Sequence, residues 1–222
     1  MRFAAFTRRN AVSVHAARRL RPALAAAFSI GLGIGAVQAQ TLASLPSAPS
    51  VAQPLGTARP IAAWVTFCEN YPAECVLDRT EPARITLTPA TWSTIVSINR
   101  RVNKAVQPMT DMDHWHVADQ WNLAEDGFGD CEDYQLLKRH LLAEAGLPRR
   151  AMRMTVVVDA NGEGHAVLTL LTDRGDLVLD NKTNDILPWH RTGYVFVKRE
   201  SQDAIAWVSL GGVTSPVTTA NR

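Results

Sequence analysis

The hydrophobic period of this sequence changes from about 3.6 residues to two after residue 146, and this change limits the fold more than any other feature. Residues 131–144 repeat apolar side chains at helical spacing, and Gly146 and Pro148 can end a helix there. Short apolar or alternating runs typical of strands follow. These runs are residues 152–159, 165–173, 176–181 and 194–201. A helix followed by an antiparallel meander predicts an α+β fold.

A second helix is predicted earlier in the chain, over TPATWSTIVSINRRVNKAV, where Thr88 suits the N-cap position. Residues 103–130 contain a proline, two glycines and five acidic residues between positions 111 and 126, without a regular period. We interpret this segment as an ordered loop that brings His114, Trp115 and Trp121 toward the functional site.

Length and composition indicate one domain with a substantial core, since the chain has 222 residues and 46% of them are hydrophobic. Residues 40–60 are rich in Pro, Ser and Ala and have no period, so we predict a disordered linker there. The folded domain is expected over residues 61–204. Residues 205–222 are expected to form a C-terminal tail whose last part is mobile.

The first 39 residues are typical of a secretory signal peptide. They carry six arginines and no acidic residues. The last arginine, Arg21, precedes an uncharged segment of 18 residues. Val37, Gln38 and Ala39 fit the small-x-small cleavage rule, so Gln40 would become the first residue. The pattern resembles bacterial signals, which predicts the periplasm and no membrane span after cleavage. The alternative is an uncleaved membrane anchor, since the segment approaches the spanning length.

Net charge argues against nucleic acid as a partner. The formal charge is +2, but beyond residue 39 the chain has 17 Lys and Arg against 21 Asp and Glu. That remainder is acidic, and it contains no basic stripe with interleaved aromatic residues.

The three cysteines fit an exported protein. Cys68 and Cys75 lie seven positions apart in FCENYPAEC, close enough to form a disulfide across a turn, which would leave Cys131 as the free thiol. Two buried, reduced cysteines are the alternative. A metal-binding pair is disfavoured because no second cysteine–histidine pair lies nearby.

Cys131 lies among acids in the stretch GDCEDY, at the start of the predicted helix. Nearby carboxylates raise the pKa of a thiol, whereas a helix N-terminus lowers it. A nucleophilic cysteine also needs a base that is itself oriented by a third group. His140 is about 13 Å farther along the same helix, too far to serve. His165 at a strand start and Asp180 at the end of the next strand are the candidates.

The spacing of His165 and Asp180 permits contact between them without requiring it. A turn centred between residues 172 and 173 places them opposite each other, whereas a turn centred on residues 174 and 175 offsets them by four positions. Each candidate has an ordinary alternative: a buried hydrophobic cysteine, a surface histidine or a turn aspartate. Their order along the chain, a cysteine at a helix start and then a histidine and an aspartate on successive strands, is more specific than any member alone.

Three stretches of the sequence resemble one known family: DMDHWHVADQWNLAEDGFGDCEDY, GDCEDYQLLKRHLL and GEGHAVLTLLTDRGDLVLDN. FCENYPAEC and ILPWH extend the similarity from about Trp64 to Glu200. The family is the bacterial transglutaminase-like cysteine proteinases of the LapG type, periplasmic proteases that release a large surface adhesin. The resemblance implies a papain- and transglutaminase-like fold, in which a helix carrying the nucleophile packs on an antiparallel sheet. It also implies a Cys-His-Asp triad, with Cys131 as nucleophile, His165 as general base and acid, and Asp180 as orienting carboxylate.

Family members that release adhesins need calcium, and the resemblance implies that acids around the cysteine bind it. Asp130 and Glu132 are the expected ligands of Ca²⁺ and Asp133 is a further candidate, because hard carboxylate oxygens suit this ion. The alternative is that these acids only complement the helix N-terminus.

The same resemblance implies a large adhesin as the protein substrate and an inner-membrane receptor that sequesters the protease as a partner. Two rival functions remain open. One is a transglutaminase, which passes the acyl group to an amine, and the other is an inactive peptide- or receptor-binding module.

Overall fold

The fold is taken from a computed structural model, which describes residues 40–45 and 49–212. Its α-helices are α1 (Ala62–Asn70), α2 (Pro72–Cys75), α3 (Pro89–Ala105), α4 (Asp111–His114) and α5 (Cys131–Glu144). Its strands are β1 (Gly56–Ala58), β2 (Gln107–Pro108), β3 (Phe128–Gly129), β4 (Met152–Val158), β5 (Gly164–Thr172), β6 (Gly175–Leu179), β7 (Leu187–Pro188), β8 (Val195–Glu200) and β9 (Trp207–Ser209). Short 3-10 helices cover Leu42–Ser44, Arg149–Ala151 and Trp189–Arg191. The predicted signal peptide lies outside the described residues, within which no helix is long and apolar enough to cross a bilayer.

Both predicted long helices form, and their ends are set by residues that the sequence indicated. The Thr91 amide donates a hydrogen bond to Thr88 Oγ1 at 3.1 Å, and Pro89 takes the first helical position, where its missing N–H leaves no bond unmade. Helix α5 begins at Cys131, and beyond its end Gly146 adopts a left-handed φ of 88°. The predicted helix over residues 131–144 is therefore confirmed.

In the described part of the chain, seven strands form one antiparallel sheet in the order β1-β9-β8-β4-β5-β6-β7. Strands β4 to β6 form a meander, as predicted, and the short strand β7, which was not predicted, continues it. Strand β8 does not extend it, because β7 pairs with the far side of β6 and the chain crosses back so that β8 pairs with β4. The prediction of a simple meander is wrong at this strand, and the α+β fold class is confirmed.

The segment predicted to be a disordered linker is ordered where the structure describes it. Strand β1 pairs with β9, Ala52 is buried, and the Ala52 amide donates to Asp176 Oδ2 at 3.1 Å. Ser50 lies so close to Gly175 that a Cβ on this glycine would approach the Ser50 amide nitrogen to 2.6 Å. The predicted domain limits, residues 61 and 204, are therefore too narrow. Backbone pairing holds this segment, and such pairing leaves no hydrophobic period in the sequence.

The predicted C-terminal tail is likewise part of the sheet over β9. This strand pairs with β1 on one side and with β8 on the other. Trp207 is buried and packs edge-on against Trp64, with ring centroids 5.7 Å apart. Residues 213–222 lie outside the described part, so the mobility expected there stays a prediction.

The hydrophobic core lies between the helices and one face of the sheet. Helices α3 and α5 contribute Ile95, Leu136 and Leu142, and β4 and β5 contribute Met154 and Leu168, all fully buried. This packing presses the start of α5 against the start of β5 and so fixes the position of Cys131.

Cys68 and Cys75 form a disulfide that joins α1 to α2, with their Cα atoms 5.5 Å apart. The predicted bond is confirmed, and Cys131 takes no part in a disulfide. Glu74, next to Cys75, reaches α5, where its carboxylate lies 2.7 Å from His140 Nδ1. The disulfide therefore braces the side of the molecule that holds the middle of α5.

Candidate active site

Cys131 is the first residue of α5 and is fully buried against β5. The Ala166 amide donates to Cys131 Sγ at 3.3 Å, and Sγ lies 3.2 Å from Glu132 Oε2. The prediction that this cysteine opens the helix is confirmed. The contact with Ala166 holds the thiol at the point where His165 enters the sheet.

The surroundings of this thiol favour its protonated form. Burial raises the pKa of the Cys131 thiol well above its usual value, and the carboxylates of Glu132 and Asp130 raise it further. The Ala166 amide lowers the pKa, and so does the N-terminus of α5, which carries only about half a positive charge. Without a further positive charge, the cysteine remains weakly nucleophilic at neutral pH.

His165 and Asp180 form a buried pair, with Nε2 and Oδ1 2.9 Å apart. The β5–β6 hairpin pairs Thr172 with Gly175, which sets His165 and Asp180 two positions apart. This register lies midway between the two that the sequence permitted. Diagonal neighbours on one face of a sheet are within reach of longer side chains, so the pair forms without a bulge.

The hydrogen bond to Asp180 sets the protonation pattern of the His165 ring. A carboxylate only accepts hydrogen bonds, so Nε2 carries the proton of the neutral imidazole and Nδ1 carries the lone pair. His165 Nδ1 is buried and has no hydrogen-bond partner among the described residues. A ring in this state can take a proton at Nδ1 while Asp180 stabilises the resulting positive charge.

Asp180 stays ionised although it is buried. Burial alone would raise the pKa of this carboxyl, but hydrogen bonds from His165, Tyr194 and the Lys182 amide outweigh burial and lower the pKa to about 2. The Tyr194 hydroxyl donates to Oδ2 at 2.7 Å, and the Lys182 amide donates to Oδ1 at 3.0 Å. Each carboxylate oxygen of Asp180 therefore has a donor.

Helices α3 and α5 both form hydrogen bonds with the backbone of Asp180. Its carbonyl accepts hydrogen bonds from Lys138 Nζ on α5 and from Asn103 Nδ2 on α3, both at 2.9 Å. Lys138 is fully buried, and burial lowers the pKa of its amine to about 7. Because Cys131 and Lys138 lie about two turns apart on one helix, α5 positions both the thiol and the loop that carries Asp180.

A group of acids surrounds the start of α5. The group comprises Asp111, Asp119, Asp130, Glu132 and Asp133. Two overlapping sets each bring oxygens of three acids within 4.8 Å of one another, and a third set consists of Asp130, Glu132 and the thiol of Cys131. Asp133 accepts hydrogen bonds from the amides of Asn122 and Asp130, and both carboxylate oxygens of Asp130 are buried. Gly129 makes room for Asp133, since a Cβ there would lie 2.6 Å from Asp133 Oδ2.

Burial and mutual repulsion raise the pKa values of these carboxyls. Burial raises the pKa of Asp130 to about 7, with further contributions from Asp111 and Asp119. The pKa values of Glu132 and Asp133 also rise well above the usual range, again through burial first and neighbouring carboxylates second. The cluster is thus a concentration of buried oxygen ligands that repel one another.

A sequence model of a protein family identifies the relatives of this chain. Residues 55–215 match the model of the bacterial transglutaminase-like cysteine proteinases, BTLCP, which is most of the chain. The chain belongs to this family. The family that the resemblance of its motifs implied is therefore confirmed.

Among solved structures, the chain is similar to LapG of Legionella pneumophila. An EGTA-treated LapG structure shows 25% identity and a TM-score of 0.43, over 49% of this chain and 62% of LapG, which is less than two thirds of that protein. A calcium-bound LapG structure shows 23% identity and a TM-score of 0.47, over 57% of this chain and 74% of LapG. A search of curated proteins found no match.

The structure of this transglutaminase-like peptidase brings the three predicted triad residues to one place. Cys131 contacts the amide of Ala166, the neighbour of His165, and His165 contacts Asp180. Their catalytic roles stay predictions, as does calcium binding by the acids beside the thiol.

The loop before α5 differs from its prediction. His114 pairs with Asp126 at 2.8 Å, and Trp121 packs against Trp207 in the core, so these contacts are not with the triad residues. The loop instead contributes Asp111 and Asp119 to the acid cluster. The run of acids between positions 111 and 126 was the signal that could have identified both.

Proposed function

We propose that this peptidase hydrolyses peptide bonds through a triad of Cys131, His165 and Asp180. The observation that carries the proposal is the buried hydrogen bond between His165 and Asp180, which leaves Nδ1 as the basic atom next to the strand residue that contacts the thiol. An imidazole held in this way can take the proton of a thiol and later give it to a leaving amine.

The reaction follows from these positions. Proton transfer from Cys131 to His165 Nδ1 produces a thiolate, which attacks the carbonyl carbon of the substrate. The Cys131 amide, at the N-terminus of α5, donates to the oxyanion that forms. His165 protonates the leaving amine, and a water activated by the same ring then hydrolyses the thioester. Asp180 stays ionised throughout and stabilises the imidazolium.

We also propose that the acids at the start of α5 bind Ca²⁺. The two buried oxygens of Asp130 and the two sets of three acids within 4.8 Å fit an ion that takes about six to eight oxygen ligands. Asp130, Glu132 and Asp133, joined by Asp111 and Asp119, would hold it. Bound calcium would add positive charge among these carboxylates, beside the thiolate that needs it.

The substrate that we propose is a large surface adhesin, and the compartment is the periplasm. The first is implied by the family resemblance, and the second by the signal-like composition of residues 1–39. An inner-membrane receptor that sequesters the protease is the proposed regulatory partner. These three proposals rest on the sequence, whereas the triad and the calcium site rest on the geometry.

The test of the triad uses protein purified after export and a synthetic peptide library analysed by mass spectrometry. Hydrolysis adds one water to the products, whereas transfer to an amine releases ammonia. Cys131→Ser and His165→Ala should abolish cleavage, while Asp180→Asn should leave a trace because this residue only orients the ring. His190→Ala removes an exposed histidine and should cleave normally. Near-native cleavage by His165→Ala would contradict the proposal.

The calcium proposal is tested in the same assay. A chelator should abolish cleavage and added calcium should restore it. Magnesium should substitute poorly, because it demands a tighter octahedral shell and gives up its water reluctantly. Full activity in the presence of the chelator would show that the acids serve only the helix start.

A further inference from the structure

Tyr194 contacts both members of the histidine–aspartate pair. It lies between the last 3-10 helix and β8, and its hydroxyl donates to Asp180 Oδ2 at 2.7 Å. Its ring stands edge-on to the imidazole of His165, with centroids 5.7 Å apart and planes at 83°. One side chain therefore fixes the carboxylate and covers the base.

The other donors to Asp180 leave one oxygen for Tyr194. His165 Nε2 and the Lys182 amide both donate to Oδ1, whereas Oδ2 accepts from the Tyr194 hydroxyl. Lys138 and Asn103 hold the backbone carbonyl and do not restrain the carboxylate plane. Rotation of that plane would move Oδ1 away from His165, and the hydroxyl of Tyr194 opposes this rotation.

The exposed fractions of the three side chains indicate that Tyr194 also covers the histidine–aspartate pair. His165 is 0% exposed and Asp180 is 3% exposed, while Tyr194 is itself partly exposed. Gly193 precedes it with a left-handed φ of 77°, a conformation that lets the loop turn toward the sheet. Tyr194 thus lies between solvent and the pair, and exclusion of water strengthens the hydrogen bond that it covers.

The charges around the hydroxyl keep it a donor. Asp180 and Asp159 both face it, and Lys182 Nζ pairs with Asp159 at 2.5 Å. Burial, the hydrogen bond to Asp180 and these carboxylates raise the pKa of Tyr194. The phenol therefore stays protonated wherever the enzyme would work.

We propose that Tyr194 is a positioning residue for catalysis, which locks the carboxylate of Asp180 and shields its hydrogen bond to His165 from water. The inference rests on the proposed triad and adds a fourth residue that acts through Asp180. It predicts an effect on the rate of the chemical step, with substrate binding unchanged.

The first experiment compares Tyr194→Phe with Tyr134→Phe on a library peptide that the wild-type protein cleaves. Tyr134 is the matched control, since its buried hydroxyl donates to the Val106 carbonyl at 2.8 Å. Loss of a hydrogen bond to a charged group should lower kcat of Tyr194→Phe about tenfold with KM unchanged. Tyr134→Phe should keep kcat and lower only the melting temperature. Unchanged kcat in Tyr194→Phe would overturn the inference.

The second experiment asks whether Tyr194 acts through Asp180. In an Asp180→Ala background, Tyr194→Phe should lower kcat by less than about twofold, because the acceptor of its hydroxyl is already gone. An equal loss in both backgrounds would overturn the inference while leaving the triad intact. Full activity of Asp180→Ala alone would instead contradict the triad, and this inference with it.

Discussion

In the second half of α5, buried carboxylates face cationic side chains, whereas at its N-terminus they face one another. Arg139 Nη1 lies 3.0 and 2.8 Å from the two carboxylate oxygens of Glu200. Glu74 contacts both His140 and Arg149. Burial tends to raise the pKa of Glu200 and of Glu74, yet these partners hold both below the usual value.

At the N-terminus of the same helix the balance is reversed. Burial raises the pKa of Asp130 to about 7 although a hydrogen bond with Glu132 lowers it, and the carboxylates of Asp111 and Asp119 add to the rise. In this fold, a buried carboxylate is therefore stabilised where an arginine guanidinium lies beside it. At the start of α5 the carboxylate of Asp130 forms no ion pair with a cationic side chain of the described residues, and its closest partner is another acid, Glu132. A cation bound from solution would balance the acids at the start of α5, as arginine balances the buried acids beside its second half.

The largest effect on stability is expected from Arg139→Met. The substitution leaves Glu200 buried without its bidentate partner, so the free energy of unfolding should fall by about 3–5 kcal/mol. Urea unfolding followed by circular dichroism measures the change. Arg84→Met is the matched control, because Arg84 is 45% exposed and its ion pair with Asp176 should contribute no more than about 1 kcal/mol. A similar small loss for Arg139→Met would remove the contrast between the two ends.

A smaller effect is expected from opening the disulfide. The double variant Cys68→Ala/Cys75→Ala should lose about 2 kcal/mol of unfolding free energy, since the bond closes a short loop. Calcium binding should be unchanged, because the bond braces the middle of α5 near His140 and not the start of the helix. Thiol titration of the denatured wild-type protein should find one reactive cysteine. Three reactive cysteines would contradict the disulfide.

The smallest expected effect is a change in the free energy of unfolding that has opposite signs in two matched variants. In calcium-free protein, Asp130→Asn should raise the free energy of unfolding by about 1 kcal/mol, because it removes an unpaired buried charge. Glu200→Gln, the same chemical change at the other end, should lower it. Thermal unfolding of both variants in the presence of a chelator measures the two changes. A loss of stability for Asp130→Asn at neutral pH would contradict the contrast between the two ends of α5.

The pH dependence of the Asp130→Asn gain follows from the raised pKa. A carboxyl whose folded pKa exceeds its unfolded value contributes stability at low pH, which is lost as the pH rises through the folded value of about 7. The gain from Asp130→Asn should therefore be absent near about pH 4 and complete near about pH 8. A gain independent of pH would point to packing rather than charge.

Elements with a strong local pattern were predictable from the sequence. Helix α5 combines an apolar repeat with Gly146 as its stop, and β4 to β6 alternate or run apolar between clear turns. Sequence spacing placed His165 and Asp180 on the same side of the hairpin, but neither of the two registers that it permitted is the observed one. The observed register depends on a two-residue turn between Thr172 and Gly175, which local sequence did not specify.

Features held by long-range polar contacts were not predictable. Residues 49–58 are held by β9 and by Asp176, more than a hundred positions away, and nothing in their composition signals this. Strand β8 returns to β4 because β7 already covers β6. Tyr194 reaches Asp180 from a loop with no motif of its own. Single-sequence patterns report local burial, whereas these contacts are set by topology.

Isothermal titration calorimetry of calcium into the exported protein tests the central claim most directly. We expect saturable binding of one ion, weakened by Asp130→Ala and by Glu132→Ala and retained by Cys131→Ala. Retention in the last variant separates metal binding from the thiol, and retention in Glu200→Gln separates it from the arginine-paired end of α5. Absence of calcium binding up to about 1 mM, a range that covers even the weak extracellular calcium modules, would contradict the claim that the acids at the start of this helix form a metal site.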